Sequence, residues 1–319
     1  MSSFTIRRHF IVAVLAGSMA CAISASAAAA PTGKTFATPE KALEALIGAL
    51  RTYDPNVLLD ILGKDSEPLF LSTDPAMDAS NRQGFLGLYD AKHGLAQSAE
   101  GLMVLTVGVG AEAWPFPIPL VKTNKRWAFD TEIGFEEIIN RRIGRNELQT
   151  IQTCLAVVDA QRDYYSRDRD GDGILEFAQA FASNVGLHNG LFWGVEEGEP
   201  LSPLGELIAT AAAEGYAKGA NAYHGYHYKM LSAQGPAAAG GAYDYRARDN
   251  QIGGFAILAY PATYGDLGIM SFIVNHDGLV YQRDLGERTE AEAAKITTFD
   301  PVEGWIRVAD EDVAPIPGD

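Results

Sequence analysis

Three aspartates at alternate positions, Asp168, Asp170 and Asp172, followed by Gly173, have the most chemically specific spacing in the chain. Alternate carboxylates put hard oxygen ligands on one side of a loop. Glycine then permits the sharp turn that closes them on a cation, so the run fits half of a calcium loop. Glu176, at the ninth position, adds a carboxylate directly or through water, and Ile174 or Leu175 would anchor the loop to the core. The twelfth position departs, with Gln179 where a bidentate glutamate closes a complete site. The expected metal ligands are therefore Asp168, Asp170, Asp172 and Glu176, with Ca2+ as the only expected cofactor. The same residues also suit a solvated acidic turn between two helices.

A second cluster holds Tyr223, His224, Tyr226, His227 and Tyr228, with His276-Asp277 on a turn further along. His224 and His227 would bind zinc if His276 or Asp277 completed the set. On a strand, however, residues three apart point to opposite faces, which favours cross-strand aromatic packing. No serine sits in a G-x-S-x-G elbow, and Cys154 lies in an apolar helical pattern, so it reads as a buried, inert thiol. No phosphate-binding loop or dinucleotide fingerprint occurs. The adjacent pairs Glu136-Glu137 and Glu196-Glu197 point apart; a carboxylate pair assembled in space by the fold stays open. No catalytic residue is assigned. The segment Trp114 to Pro119 (WPFPIP), with Trp127, suits a groove for carbohydrate or a hydrophobic ligand, or a cap over a core.

The elements that would position these residues follow from caps and periodicity. Thr38-Pro39-Glu40 opens a helix whose buried face is Ala42, Leu43, Leu46, Ile47 and Leu50. Asp54-Pro55 opens a short second helix that stops at Gly63, and residues 82–93 read as a third. Met103–Val109 and Trp127–Asp130 read as strands, whereas the three prolines of WPFPIP rule out a central strand. Helices are expected at 134–141, 146–165, 174–181 and 204–216. From Tyr226 the period changes to two. Strands are expected at 226–231, 254–260, 269–274 and 279–283, with a hairpin turn at Asn275-His276-Asp277-Gly278, then a helix at 290–295 and a short strand near Trp305. Consecutive short strands with tight turns make an antiparallel sheet, so the class is α+β in both halves.

The first thirty residues have the zones of a secretory signal: Arg7, Arg8 and His9, then apolar Phe10 to Ile23, then small residues up to Pro31. Ala25-Ser26-Ala27 places cleavage after Ala27 or within the next few alanines. The apolar run is shorter than the roughly 20 residues of a spanning helix, so the mature chain is expected not to cross the membrane. Arg7 to Ile11 resembles part of a twin-arginine signal, with Ile6 where serine or threonine is usual. Removal of the signal lowers the formal charge from −16 to about −18, because Arg7 and Arg8 are its only charged side chains. Such a charge, without a basic stripe, excludes nucleic-acid binding. The localisation expected is periplasmic or secreted.

Longer motifs carry a family resemblance: WPFPIPLV at 114–121, RRIGRNEL at 141–148, DGDGILEFAQ at 170–179, SPLGELIA at 202–209, YHGYHYKML at 223–231 and FIVNHDGLVYQRDLG at 272–286. By these the chain is identified as a member of a bacterial domain-of-unknown-function family, number 2950. Residues 36–140 are also similar in plan to nuclear-transport-factor-2-like domains, which implies a cone-shaped cavity. Residues 146–285 resemble type IV pilin-like globular heads, without the apolar helix that packs a pilin into its filament. The organisation expected is a signal at 1–30, a cone-like α+β domain at 31–142, and a pilin-head-like antiparallel-sheet domain at 143–319. The function expected is non-enzymatic binding or assembly, with an envelope protein or a small ligand as partner. The alternative is a hydrolase or lyase on cell-wall or polysaccharide material. That alternative requires two inward-facing acids, or an acid and a histidine, in the N-terminal cavity.

Overall fold

Three helices open on the same device, an oxygen-bearing cap followed by proline at the first helical position. They are α1 (Pro39–Thr52), α2 (Pro55–Leu62) and α3 (Pro75–Ala91), capped by Thr38, Asp54 and Asp74. Each cap side chain accepts from an amide of the first turn, and proline costs nothing where no amide partner exists. The computed structural model describes residues 32–98, 101–110, 113–169, 171–195, 201–216 and 222–309, which form one compact unit. The expected export signal, residues 1–30, and Asp170 lie outside the described residues.

A first antiparallel sheet follows, from β1 (His93–Gln97), β2 (Met103–Val107), β3 (Trp114–Pro115), β4 (Leu120–Thr123) and β5 (Arg126–Phe129). Its order is β1-β2-β4-β5, with β3 pairing β2. As the prolines require, WPFPIP contributes only a two-residue strand. Leu46, Leu58, Ile61, Ile118 and Phe129 join α1 and α2 to this sheet in one core.

The chain then enters α4 (Thr131–Tyr165), a helix of 35 residues where the sequence suggests two. Gly144 sits inside it without a break, and a Cβ there would meet nothing within 4 Å. The apolar stripe simply changes partners: Ile138 packs with the first core, Ile151, Cys154 and Val158 with a second. At Gly134 the helix runs so close to the first sheet that a Cβ would meet the backbone of Pro117 at 2.7 Å.

The second core belongs to a sheet built after α5 (Gly205–Ala213). Its strands and neighbours are β6 (Tyr226–Leu231), β7 (Ala233–Gln234), β8 (Tyr243–Asp244), β9 (Ala256–Pro261), β10 (Met270–Asn275), β11 (Val280–Asp284), α6 (Thr289–Lys295) and β12 (Ile306–Arg307). The order is β12-β11-β10-β9-β6, antiparallel throughout, with β7-β8 a separate ribbon. Alternation buries both faces. Ile257, Phe272 and Val274 pack beneath α4, whereas Leu258 and Ile273 pack with Tyr245, Ala293 and Phe299. The β10–β11 hairpin turns at Asn275-His276-Asp277-Gly278, Gly278 adopting φ 78°. The fold is α+β.

Residues 174–181 are not the helix that periodicity suggests. Their backbone groups are bonded elsewhere: Phe177 N donates to Gln251 O, and Ala178 N donates to the buried Gln161 Oε1. Leu191 N and Phe192 N donate to the carbonyls of Ala180 and Phe181. A helix would need those groups for its own ladder. Among the described residues, no helix is long and apolar enough to cross a membrane.

Candidate functional site

The aspartate-rich segment forms a curled loop at the end of α4. Asp168 accepts from Gly171 N through Oδ1 (2.7 Å) and from Gly173 N through Oδ2 (2.9 Å). Gly171 and Gly173 take positive φ, 81° and 86°, which glycine allows without strain. Asp172 accepts from Ile174 N at 2.7 Å and from Asn250 Nδ2 at 2.5 Å, while Glu176 accepts from Gln251 N at 3.0 Å. The loop is therefore tied to residues 249–251, and no second helix flanks it. Ile174 and Leu175 are both exposed, so neither anchors it to the core.

The histidines go to separate places. His224 is buried against Tyr216 and Tyr223, with Nε2 3.8 Å from Glu214. His227 faces Tyr260, and His276 faces Tyr245 and Phe255. Among the described residues no three His, Cys, Asp or Glu side chains lie close enough to hold a metal ion. The aromatic-packing alternative accounts for the cluster. Cys154 is a fully buried free thiol, and burial pushes its pKa up to about 12.

A cavity of about 910 Å³ lies between α1, α3, the first sheet and α4. Leu46 and Leu50 of α1, Leu58 and Leu62 of α2, Phe85 of α3, and Phe116 and Ile118 from the WPFPIP segment wall it. Trp114 lines it too, but Trp127 does not; that ring packs into the first core with Lys122 over it at 5.5 Å. The exposed lining residues Ser80, Gly84, Gly87, Arg141 and Arg145 all belong to α3 or α4, so the mouth lies between these two helices.

Its polar wall is cationic. Arg141, Arg142, Arg145 and Gln149 follow Ile138 at three- and four-residue steps, one face of α4, and Arg82 projects from α3. Arg142, only 7% exposed, donates to Asp266 at 2.5 Å and to Pro68 O at 2.6 Å. Arg141 pairs with Glu137 at 2.6 Å and lies over Trp114. Arg82 lies over the Tyr53 ring at 3.8 Å, and Arg145 donates to Asn81 Oδ1. Neither Arg82 nor Arg145 has a carboxylate partner among the described residues. Crowding by the protein, and then the charge of Arg141, lower the pKa of Arg145 although its side chain still reaches solvent. One acid lines the cavity, Asp78. Its oxygens accept from Ser72 N at 2.7 Å and Ser72 Oγ at 2.9 Å, and burial raises its pKa against the pull of those bonds and of Arg142. No second carboxylate and no histidine lines the space among the described residues.

The WPFPIP segment, which suits either a ligand groove or a cap over a core, lines this space through Trp114, Phe116, Pro117 and Ile118, whereas the arginines are not among the residues expected at a site. The available signal was Arg141-Arg142-x-x-Arg145 on a helical face in a chain with far more acids than bases.

The chain is thus an α+β protein with an open apolar cavity and a guanidinium-rich mouth. It belongs to the family described as Protein of unknown function (DUF2950), which matches residues 33–308. No curated protein and no solved structure matches it, so the nuclear-transport-factor-2-like and pilin-head resemblances rest on the residues alone.

Proposed function

We propose that this chain is an exported binding protein of the bacterial envelope, and that it holds a small ligand with an apolar body in the cavity between α3 and α4. The observation that carries the reading is the cavity itself. At about 910 Å³ with mostly apolar walls, it falls in the size range of small-molecule sites, whereas packing gaps in cores rarely exceed a water molecule. Gly84 and Gly87 of α3 support it. They line the space one helical turn apart, and a Cβ on either would meet nothing within 4 Å. Glycine inside a helix costs about 1 kcal/mol relative to alanine, and here it keeps the wall open. Among the described residues the hydrolase or lyase alternative finds a single carboxylate in the cavity lining, already engaged by Ser72, where it needs a pair.

Nile red, a neutral dye that brightens in apolar surroundings, tests the reading. Its fluorescence should rise saturably with the purified chain, and Gly84→Leu/Gly87→Leu, which fills the space, should weaken binding at least tenfold. Equal binding by both proteins would overturn the proposal.

Export belongs to the same reading, and N-terminal sequencing of exported material should begin at Ala28, Ala29 or Ala30; a chain retaining Met1 removes it. We also propose that the curled loop takes calcium weakly through Asp168, Asp170, Asp172 and Glu176, the ion drawing together carboxylates that do not form a metal-holding group among the described residues, with amide bonds to Asp168 curling the backbone. Millimolar calcium should raise the melting midpoint over chelator, and Asp170→Ala should abolish the rise. An unchanged midpoint removes the calcium site.

A further inference from the structure

We infer that the cavity selects an amphipathic anion, an apolar body carrying one carboxylate or phosphate head, with the head held at the mouth by Arg82 and Arg145. The inference rests on the reading of the cavity as a ligand site and adds the chemistry of the ligand. Four arginines line the cavity, three on α4 and Arg82 on the facing α3, and two of them, Arg141 and Arg142, are matched by Glu137 and Asp266. Arg82 and Arg145 are not matched by any described carboxylate, and both border the opening rather than the apolar depth. A guanidinium has five N–H donors. Arg145 spends one on Asn81, and Arg82 donates no hydrogen bond among the described residues, its plane resting on the Tyr53 ring.

Gathering guanidinium groups beside an apolar space is costly, because each desolvates and repels the next; the lowered pKa of Arg145 records both effects. An anion at the mouth relieves the repulsion and accepts the idle donors, in the bidentate geometry that arginine offers to carboxylate and phosphate. An entirely apolar ligand would leave the cost uncompensated. A cationic ligand would add to it. The division of the walls, leucine and aromatic inside and guanidinium at the opening, matches a molecule with the same division.

Competition against Nile red separates this inference from the cavity reading. Dodecanoate, dodecyl phosphate and dodecanol share one apolar body and differ in the head. Dodecanoate or dodecyl phosphate should displace the dye at a concentration at least tenfold below that of dodecanol. The stronger of the two identifies a free-carboxylate or a phosphate-headed ligand. Arg82→Gln/Arg145→Gln should bring the displacing concentrations of dodecanoate and dodecyl phosphate to that of dodecanol. Equal displacement by dodecanol and both anions, with dye binding intact, overturns the head-group inference and leaves the cavity reading standing. An anionic advantage that survives the double substitution also overturns it, because the head then binds elsewhere. Absence of dye binding to the wild-type chain removes the cavity reading instead.

Discussion

Asp78 and Cys154 show how burial shifts the chemistry of single residues. The Asp78 carboxyl is held protonated to higher pH than an exposed aspartate, mainly by desolvation. Its folded-state pKa therefore lies above its unfolded-state value of about 4. The stability gained by binding that proton is fully present below the unfolded value and is lost as pH rises through the folded one. Melting midpoints measured from about pH 3.5 to 6 should show wild type declining relative to Asp78→Asn, which has no proton to lose. Parallel curves would show that Asp78 titrates as if exposed. Cys154, its thiol pushed up to about 12 inside the α4 core, should ignore thiol reagents at pH 8 and react fully in denaturant. The buried thiol was legible in the sequence because its helical neighbours are apolar. The arginines of the cavity were not, because a charged residue on a helix is ordinarily solvated, and only the facing α3 wall makes Arg145 and Arg82 one site.

Glycine has opposite consequences in α3 and α4, and this decides what alanine does at each. At Gly84 and Gly87 the added methyl meets open space, so the double alanine variant should gain about 1–2 kcal/mol of stability from helix propensity alone. At Gly134 the methyl meets Pro117 and Ile118, so Gly134→Ala should lose about 1–3 kcal/mol despite the same propensity gain. Chemical denaturation of the two variants reads both signs. The identical residue type hides this difference from the sequence; only the distance to the sheet reveals it. Caps were more readable. Thr38-Pro39 and Asp54-Pro55 mark helix starts by local chemistry, and Asp74-Pro75 carries the same signal, so α3 starts seven residues before the start that apolar periodicity suggests. The strand β1 escapes notice because almost all of it is exposed, leaving no alternation to detect. Residues 174–181 have helical periodicity, yet Gln161 and Gln251, distant in sequence, take their backbone groups.

At the scale of the whole molecule, α4 and the turn before α3 fasten the two sheets to each other. Arg142 of α4 bonds Asp266 in the β9–β10 connection, Asn146 Nδ2 donates to Leu267 O, and Glu147 Oε1 accepts from Ile269 N and Met270 N. Asp74, the cap of α3, accepts from Tyr216 OH at 2.8 Å and from Gly225 N at 3.0 Å. The helix that supplies one wall of the cavity is therefore held at its start by the second half of the chain, and the helix that supplies the facing wall runs on as the floor of the second sheet. Loss of either half would release a wall. Asp266→Ala tests this coupling, because it leaves Arg142 buried without its carboxylate, at a cost of about 3 kcal/mol. Unfolding of the wild-type chain should give one midpoint by tryptophan fluorescence and by far-ultraviolet circular dichroism. Trp114 and Trp127 belong to the first half, Trp193 and Trp305 to the second, so the fluorescence samples both. The substitution should lower that single midpoint for both probes together, and Nile red should be released in the same transition. Two separated midpoints in the wild type would mean that the halves stand alone, and that the cavity keeps its walls without the contacts that join them.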